Sequence, residues 1–229
     1  MKQLFLVSLL ACLTFHSFSQ DHSGTYGYTL KLEGTQPPKA KSAIPGGTLV
    51  LQKMEGNKYR FWLDVLNGPP GYNRGETDGT IILVNDTASF ENTFEGAIVP
   101  CILKFKKSGN TINIYGFSSS YNCGFGNGVS AEADYAWLKT QPPLNNDWLK
   151  KEYPESPIAI ADKDKIEVFQ DENCKQSFTP KVFFPKGENF LSIADAESSI
   201  YTEHYSSSGK FTWGWIRKSG IKLLSLPPK

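Results

Sequence analysis

Histidine is scarce, with three in 229 residues. No histidines or cysteines stand at metal-ligand spacing, and the chain has neither a glycine-rich phosphate loop nor a nucleophile elbow. Chemistry at a protein site needs clustered titratable or ligating groups. Their absence leaves no catalytic residue, metal ligand or cofactor to name, so the expectation is a protein that is not an enzyme. Charge of one sign is also lacking: Lys and Arg number 24 and Asp and Glu 23. Residues 20–138 hold ten basic and eleven acidic side chains, and residues 158–229 hold ten and nine. Such balance argues against nucleic acid or an anionic membrane as a partner.

Long apolar runs are missing beyond the start of the chain. Leu4 to Phe15 is apolar apart from Ser8 and Thr14, follows Lys2, and precedes Ser17-Phe18-Ser19-Gln20. The run is shorter than the roughly 18 apolar residues that span a bilayer. A charged start, a short apolar stretch and small residues before Gln20 predict a signal peptide over residues 1–19, hence a periplasmic or extracellular protein of a Gram-negative-type envelope. Leu9-Leu10-Ala11-Cys12 is a competing lipoprotein-like box in which Cys12 would carry a lipid anchor. Cleavage removes one charge, Lys2, and leaves 23 residues of each sign.

Cysteine is sparse as well. Of the three beyond the leader, Cys101 and Cys123 are 22 apart and form the natural pair in an oxidising compartment. Closing that loop would stabilise the fold by about 3 kcal/mol. Cys174 is the odd thiol, read as a small buried hydrophobe.

What the chain does have is glycine, proline, aromatics and period-2 alternation. From Gly24 short segments alternate polar and apolar residues between turns such as Glu55-Gly56-Asn57, Asn85-Asp86 and Ser108-Gly109-Asn110. Strands are predicted over 25–33, 48–55, 58–66, 79–85, 87–93, 101–107, 111–117 and 128–138. The predicted class is all-β, with an antiparallel β-barrel of about eight strands over residues 20–138. A sandwich is the alternative. Two long connections, 34–47 and 67–78, interrupt the meander, and Tyr72 and Arg74 in the second are candidate ligand residues. Residues 139–157 contain four prolines and one short helical stretch, 146–153, and are expected to link the barrel to a small barrel over 158–229.

The second region crowds aromatics. Tyr201, Tyr205 and Trp213 are candidate ligand residues, because Phe211, Trp213 and Trp215 alternate onto one strand face that is either core or a groove. In the first region Trp62, a further candidate ligand residue, falls with Arg60 on the face opposite Tyr59, Phe61 and Leu63, so it points outward or into a polar lumen. Glu203 and His204 alternate, so one of the two should meet solvent. Asp64, Glu76, Asp78, Glu91 and Glu132 are carboxylates that no visible register brings together across a cleft.

The order KIEVFQ, KVFFPKGENFLSIA and IYTEHYSSSGKFTWGWIRKSGIKLL, with Lys186-Gly187-Glu188 and Gly214-Trp215-Ile216 inside it, resembles the bacterial SH3-like family over residues 158–224. The stretch 171–179, carrying Cys174, departs from that pattern, so no ligand-side loop transfers. The resemblance implies a non-catalytic envelope module that meets cell wall or protein. Gly24-x-Tyr26, Gly47-x-Leu49, Ala88-x-Phe90, Cys101-x-Leu103-x-Phe105 and Cys123-Gly124-Phe125-Gly126 are similar to small disulfide-tied secreted barrels, lysozyme-inhibitor-like ones included. No inhibitory residue carries over. The expected function is a secreted binding protein whose partner is an envelope protein or peptidoglycan. The alternatives are an inhibitor of a secreted hydrolase such as lysozyme, and a cell-wall hydrolase.

Overall fold

The computed structural model describes residues 21–30, 44–94, 97–138 and 144–224. The predicted signal peptide, Cys12, most of the first long connection and the start of the linker lie outside them. Eight strands form one antiparallel sheet: β1 (Gly24–Thr29), β2 (Gly46–Lys53), β3 (Lys58–Leu66), β4 (Arg74–Ile82), β5 (Thr87–Asn92), β6 (Cys101–Ser108), β7 (Thr111–Tyr115) and β8 (Ala133–Trp137). Their order, β4-β3-β2-β1-β8-β7-β6-β5, is a meander whose first and last strands pair, giving a nearly closed barrel.

Period-2 alternation produces the barrel directly. Leu49 and Leu51, Phe61 and Leu63, Leu103 and Phe105, and Ile112 and Ile114 all turn inward and are essentially fully buried. Burying each such side chain contributes roughly 1.5–3 kcal/mol. These residues fill the lumen, so the barrel is a packed core.

Between β4 and β5 the ladder is reduced to one bridge, Val84 with Thr87, at a turn whose Asn85 and Asp86 both take positive φ. Rings fill the rest of the seam. A Cβ on Gly75 would stand 2.3 Å from the Phe125 ring, and one on Gly79 would stand 2.3 Å from Phe90. The inward face of β4 is therefore Gly75, Thr77, Gly79 and Ile81, small residues that make room for aromatics. That face lacks the expected apolar beat, which is why sequence reading placed residues 74–78 in a loop. The connection is shorter, 67–73. Another correction concerns 128–132, which are loop, since β8 begins at Ala133.

Strand direction sorts the connections. The short turns at 54–57, 83–86 and 109–110 close one end, and the strand ends that flank the four longer connections, 30–45, 67–73, 93–100 and 116–132, lie at the other. Cys101 and Cys123 are disulfide-bonded there, with Cα atoms 4.6 Å apart.

A helix, α1 (Asn146–Glu152), follows the barrel. The Asn145 side chain caps it by accepting from the Trp148 amide, Asp147 sits in its first turn, and Lys150 and Lys151 sit in its last, as the helix dipole favours. The C-terminal region holds β9 (Ile158–Ala161), β10 (Lys165–Phe169), β11 (Ser177–Pro185), β12 (Asn189–Leu191), β13 (Ala194–Asp195), β14 (Ser199–Tyr205), β15 (Phe211–Arg217) and β16 (Ile221–Leu223). They form a five-stranded sheet, β11-β10-β15-β14-β13, and a three-stranded one, β12-β9-β16, around Ala159, Val168, Phe184, Phe190, Ile200 and Ile216. Among the described residues no helix is long and apolar enough to cross a membrane.

Candidate functional site

Cross-strand pairing fixes what the outer barrel face presents. Gly27 pairs with Thr48, Thr48 with Asp64 and Asp64 with Glu76, and in the next row Val50 pairs with Trp62 and Trp62 with Asp78. The C-terminal region and α1 lie over part of this face. Trp62 and Trp148 meet edge to face at 4.8 Å, and with Val50, Leu149, Leu191 and Tyr205 they form a buried cluster joining both regions.

Polar groups complete the seam. Arg60 Nε donates to Glu203 Oε1 at 2.6 Å, and Arg60 also pairs with Asp78. The Tyr153 hydroxyl accepts from Trp62 Nε1 at 2.8 Å and from Arg60 Nη2 at 2.9 Å, and donates to Glu203 Oε2 at 3.2 Å. Burial pushes the Glu203 carboxyl up, opposed by Arg60 and the Tyr201 and Tyr153 hydroxyls. Burial also works against the Arg60 charge, but Glu203, Tyr153 and Asp78 hold the guanidinium protonated well above its usual range.

Four of the six candidate ligand residues belong to this seam. Trp62 does point outward from the barrel, but it is only 6% exposed, because α1 and Phe211 cover it. Tyr205 is buried, with its hydroxyl donating to Gln52 Oε1 at 2.7 Å. Tyr201 donates to Glu203 Oε1 at 3.0 Å, and Trp213 is half-buried against Phe178 with the Lys58 ammonium 4.5 Å over its ring. The aromatic face of β14 and β15 thus packs on the barrel. Glu203 and His204 are both buried, correcting the expectation that one meets solvent. The strand is covered on one side by the barrel and on the other by its own core, where His204 packs edge to face with Phe184 at 5.1 Å.

Beyond the seam the same barrel face stays open. Two clefts of about 730 and 720 Å³ share Thr48, Asp64 and Arg74, and so run together as one groove. One end lies over Gly27, Gly46, Gly47 and Leu138. The other runs beneath α1, between Glu76 and Asp78 on the barrel and Lys151, Glu152 and Pro154 on the helix side. Arg74 stands at the junction. Its Nε and Nη2 each donate at 2.8 Å to the two oxygens of Asp64, and its Nε lies 2.8 Å from Glu76 Oε1. Those bonds raise the Arg74 pKa well beyond its ordinary range. Much of Glu152 is open to water, yet crowding against the barrel and the charges of Asp64, Glu76 and Asp78 push its carboxyl up, with Arg74 opposing.

The groove brings together Trp62 and Arg74 from the sequence candidates and adds Asp64, Glu76 and Asp78, which register joins after all. Glu91 is exposed on β5, and Glu132 accepts from the Phe117 amide. Sequence reading missed Glu152 and its helix as a wall of the site. Only the isolated helical stretch in a proline-rich linker hinted at a buttress there. Tyr72 stands apart, exposed at the tip of the 67–73 connection. Among the described residues no group of three or more His, Cys, Asp or Glu is placed to hold a metal ion. No protein-family model, no curated protein and no solved structure matches this chain.

Proposed function

We propose that this is a non-catalytic binding protein of the bacterial envelope, periplasmic or extracellular, that holds cell-wall material or an extended protein segment in the groove. The observation that carries this reading is the groove's form: an open trough across the strands β1 to β4, with a glycine-lined end and an ionic junction at Arg74. An extended polymer fits a trough, whereas a compact ligand fits an enclosed cavity, and the barrel interior is packed solid. The disulfide is consistent with export.

Hydrolysis of the wall is the second reading, favoured by one arrangement: Glu152, its carboxyl pushed up, shares the groove with Asp64, Glu76 and Asp78. A protonated and an ionised carboxyl facing a sugar are what glycoside hydrolysis requires. Against it stands Arg74, which occupies Asp64 and Glu76 with ion pairs.

Co-sedimentation of the purified protein with insoluble peptidoglycan tests both readings. Retention that falls in the Asp64→Asn, Glu76→Gln double variant supports binding in the groove, and retention indifferent to it removes the groove from the reading. Release of soluble wall fragments that stops in Glu152→Gln would replace the binding reading with the enzymatic one. Lysozyme activity in the same tubes tests the inhibitor alternative.

A further inference from the structure

The connection 67–73 and residues 116–131 of the connection 116–132, both at the long-loop end of the barrel, contain not one Asp, Glu, Lys, Arg or His, and Glu132, which ends the second, accepts from the Phe117 amide. Charged residues make up 21% of the chain, so these two segments differ from the rest of it. The two segments are also tied to each other. Asn67 Nδ2 donates to the Gly128 carbonyl at 3.0 Å, Asn73 Nδ2 to the Asn127 carbonyl at 2.7 Å, and the Gly126 amide to the Arg74 carbonyl at 2.9 Å. Within the second segment the Phe125 amide donates to the Ser120 carbonyl at 2.8 Å, and Cys123 is bonded to Cys101.

Side chains partition by type. Phe125, Val129, Cys123 and Ala131 turn in and are buried, while Tyr72 is 42% and Tyr121 76% exposed. The outward surface is thus tyrosine, asparagine, serine, glycine and proline on a braced backbone. Tyrosine offers a large rigid ring with a polar tip at small entropic cost, and asparagine and serine supply adaptable hydrogen bonds.

Chemistry narrows the partner. Nucleic acid needs a cationic surface, as does an anionic membrane, and these two segments contain no Lys or Arg. Protein hot spots draw on Trp, Tyr and Arg set in pockets, and of these the two segments hold tyrosine alone. A neutral polymer of hydroxyl and amide groups with flat faces suits such a surface, on which rings are offered without cationic anchors. We propose that the platform formed by 67–73 and 116–131 recognises the sugar rings of a neutral glycan strand, with Tyr72 and Tyr121 as stacking surfaces. Leu66 and Arg74, which bracket the first segment, line the groove, so a strand seated on the platform leads into it. The inference rests on the cell-wall reading only for its choice of probe.

Calorimetric titration with the β-1,4-linked N-acetylglucosamine tetramer tests the assignment. Saturable binding is expected, changing less than about twofold between low and molar salt because no ions are exchanged. Tyr121→Ala and Tyr72→Ala should each weaken it about tenfold, the size of one lost stacking contact, while Tyr121→Phe and Tyr72→Phe keep it. Steep salt dependence, absence of saturable binding, or unchanged affinity in alanine variants that melt like the parent would each overturn the proposal. So would lysozyme binding that the alanine variants abolish, since the platform would then serve a protein. Peptidoglycan retention that survives loss of tetramer binding and still needs Asp64 and Glu76 would sink the glycan inference alone and leave the groove standing.

Discussion

The barrel and the strand β14 of the C-terminal region solve burial in opposite ways. Apart from β4, each barrel strand hides one face of mainly aliphatic and aromatic side chains and leaves the other for water or for the docked region. β14 is covered on both faces and carries Glu203 and His204 into the interior, one towards the barrel and one towards its own core. The first arrangement draws stability from area removed from water and needs no particular partner. The second depends on partners: a buried charge without its counterpart costs far more than the pair contributes. The seam is therefore less a source of stability than a device for setting how the two regions meet, because only one docking places Arg60, Tyr201 and Tyr153 around Glu203.

The comparison can be broken most forcefully at Arg60. Arg60→Met should destabilise the protein by about 3–5 kcal/mol in denaturant titration, since it strands Glu203, whereas Arg60→Met combined with Glu203→Leu should recover most of that loss. A double variant as unstable as the single one would show that the seam is held by its ions. In the barrel Phe61→Ala should cost about 3–5 kcal/mol, with no second substitution on the C-terminal region able to restore it. Replacing Cys101 and Cys123 by Ser should cost about 3 kcal/mol and leave the seam unaffected, as judged by unchanged Trp62 and Trp148 fluorescence in the native state.

Acidity sharpens the contrast within β14. Burial holds His204 below its ordinary pKa, with Glu188 opposing from 2.9 Å. A histidine that charges more readily when unfolded contributes stability above about pH 6.5 that is lost as the pH falls towards its folded value. The melting temperature should drop on that side, and His204→Leu should flatten the drop. Glu203 has the opposite sign. Its raised carboxyl pKa favours the fold below the ordinary glutamate range, and that contribution fades as the pH rises through the folded value. Glu203→Gln should remove that component. The smallest effect is expected at the groove: Arg74→Ala, in an ion cluster about half exposed, should change stability by less than about 1 kcal/mol.

These differences also explain what could be read from the chain. Where one strand face is dry and the other wet, as in 58–66, alternation gave both the strand and its orientation. It failed on β4, whose dry face is glycine and threonine because Phe90 and Phe125 fill the space from elsewhere. On β14 it gave the strand, 199–205, but not its burial, since both faces are dry and polarity no longer marks solvent. The aromatic face of β15 was legible as a place where something packs, but that something is the barrel's own Lys58 and Trp62, a contact between residues about 150 apart in sequence. The groove was half visible. Its carboxylates and Arg74 could be named, but the pairing of Asp64 with Glu76 follows from register, and the wall of Glu152 and Tyr153 follows from how α1 docks.

The seam between β4 and β5 gives the barrel an unequal circumference. Elsewhere neighbouring strands are joined by ladders of hydrogen bonds, which must break together. Here rings lie over glycines, and such a joint can slide and separate one contact at a time. Amide exchange should therefore begin along the free edges of β4 and β5 well before it reaches β2 or β6. The barrel then behaves less as a closed hoop than as a split ring with an aromatic clasp, and loosening the clasp would also free Gly75 and its neighbour Arg74, the residue on which the groove turns.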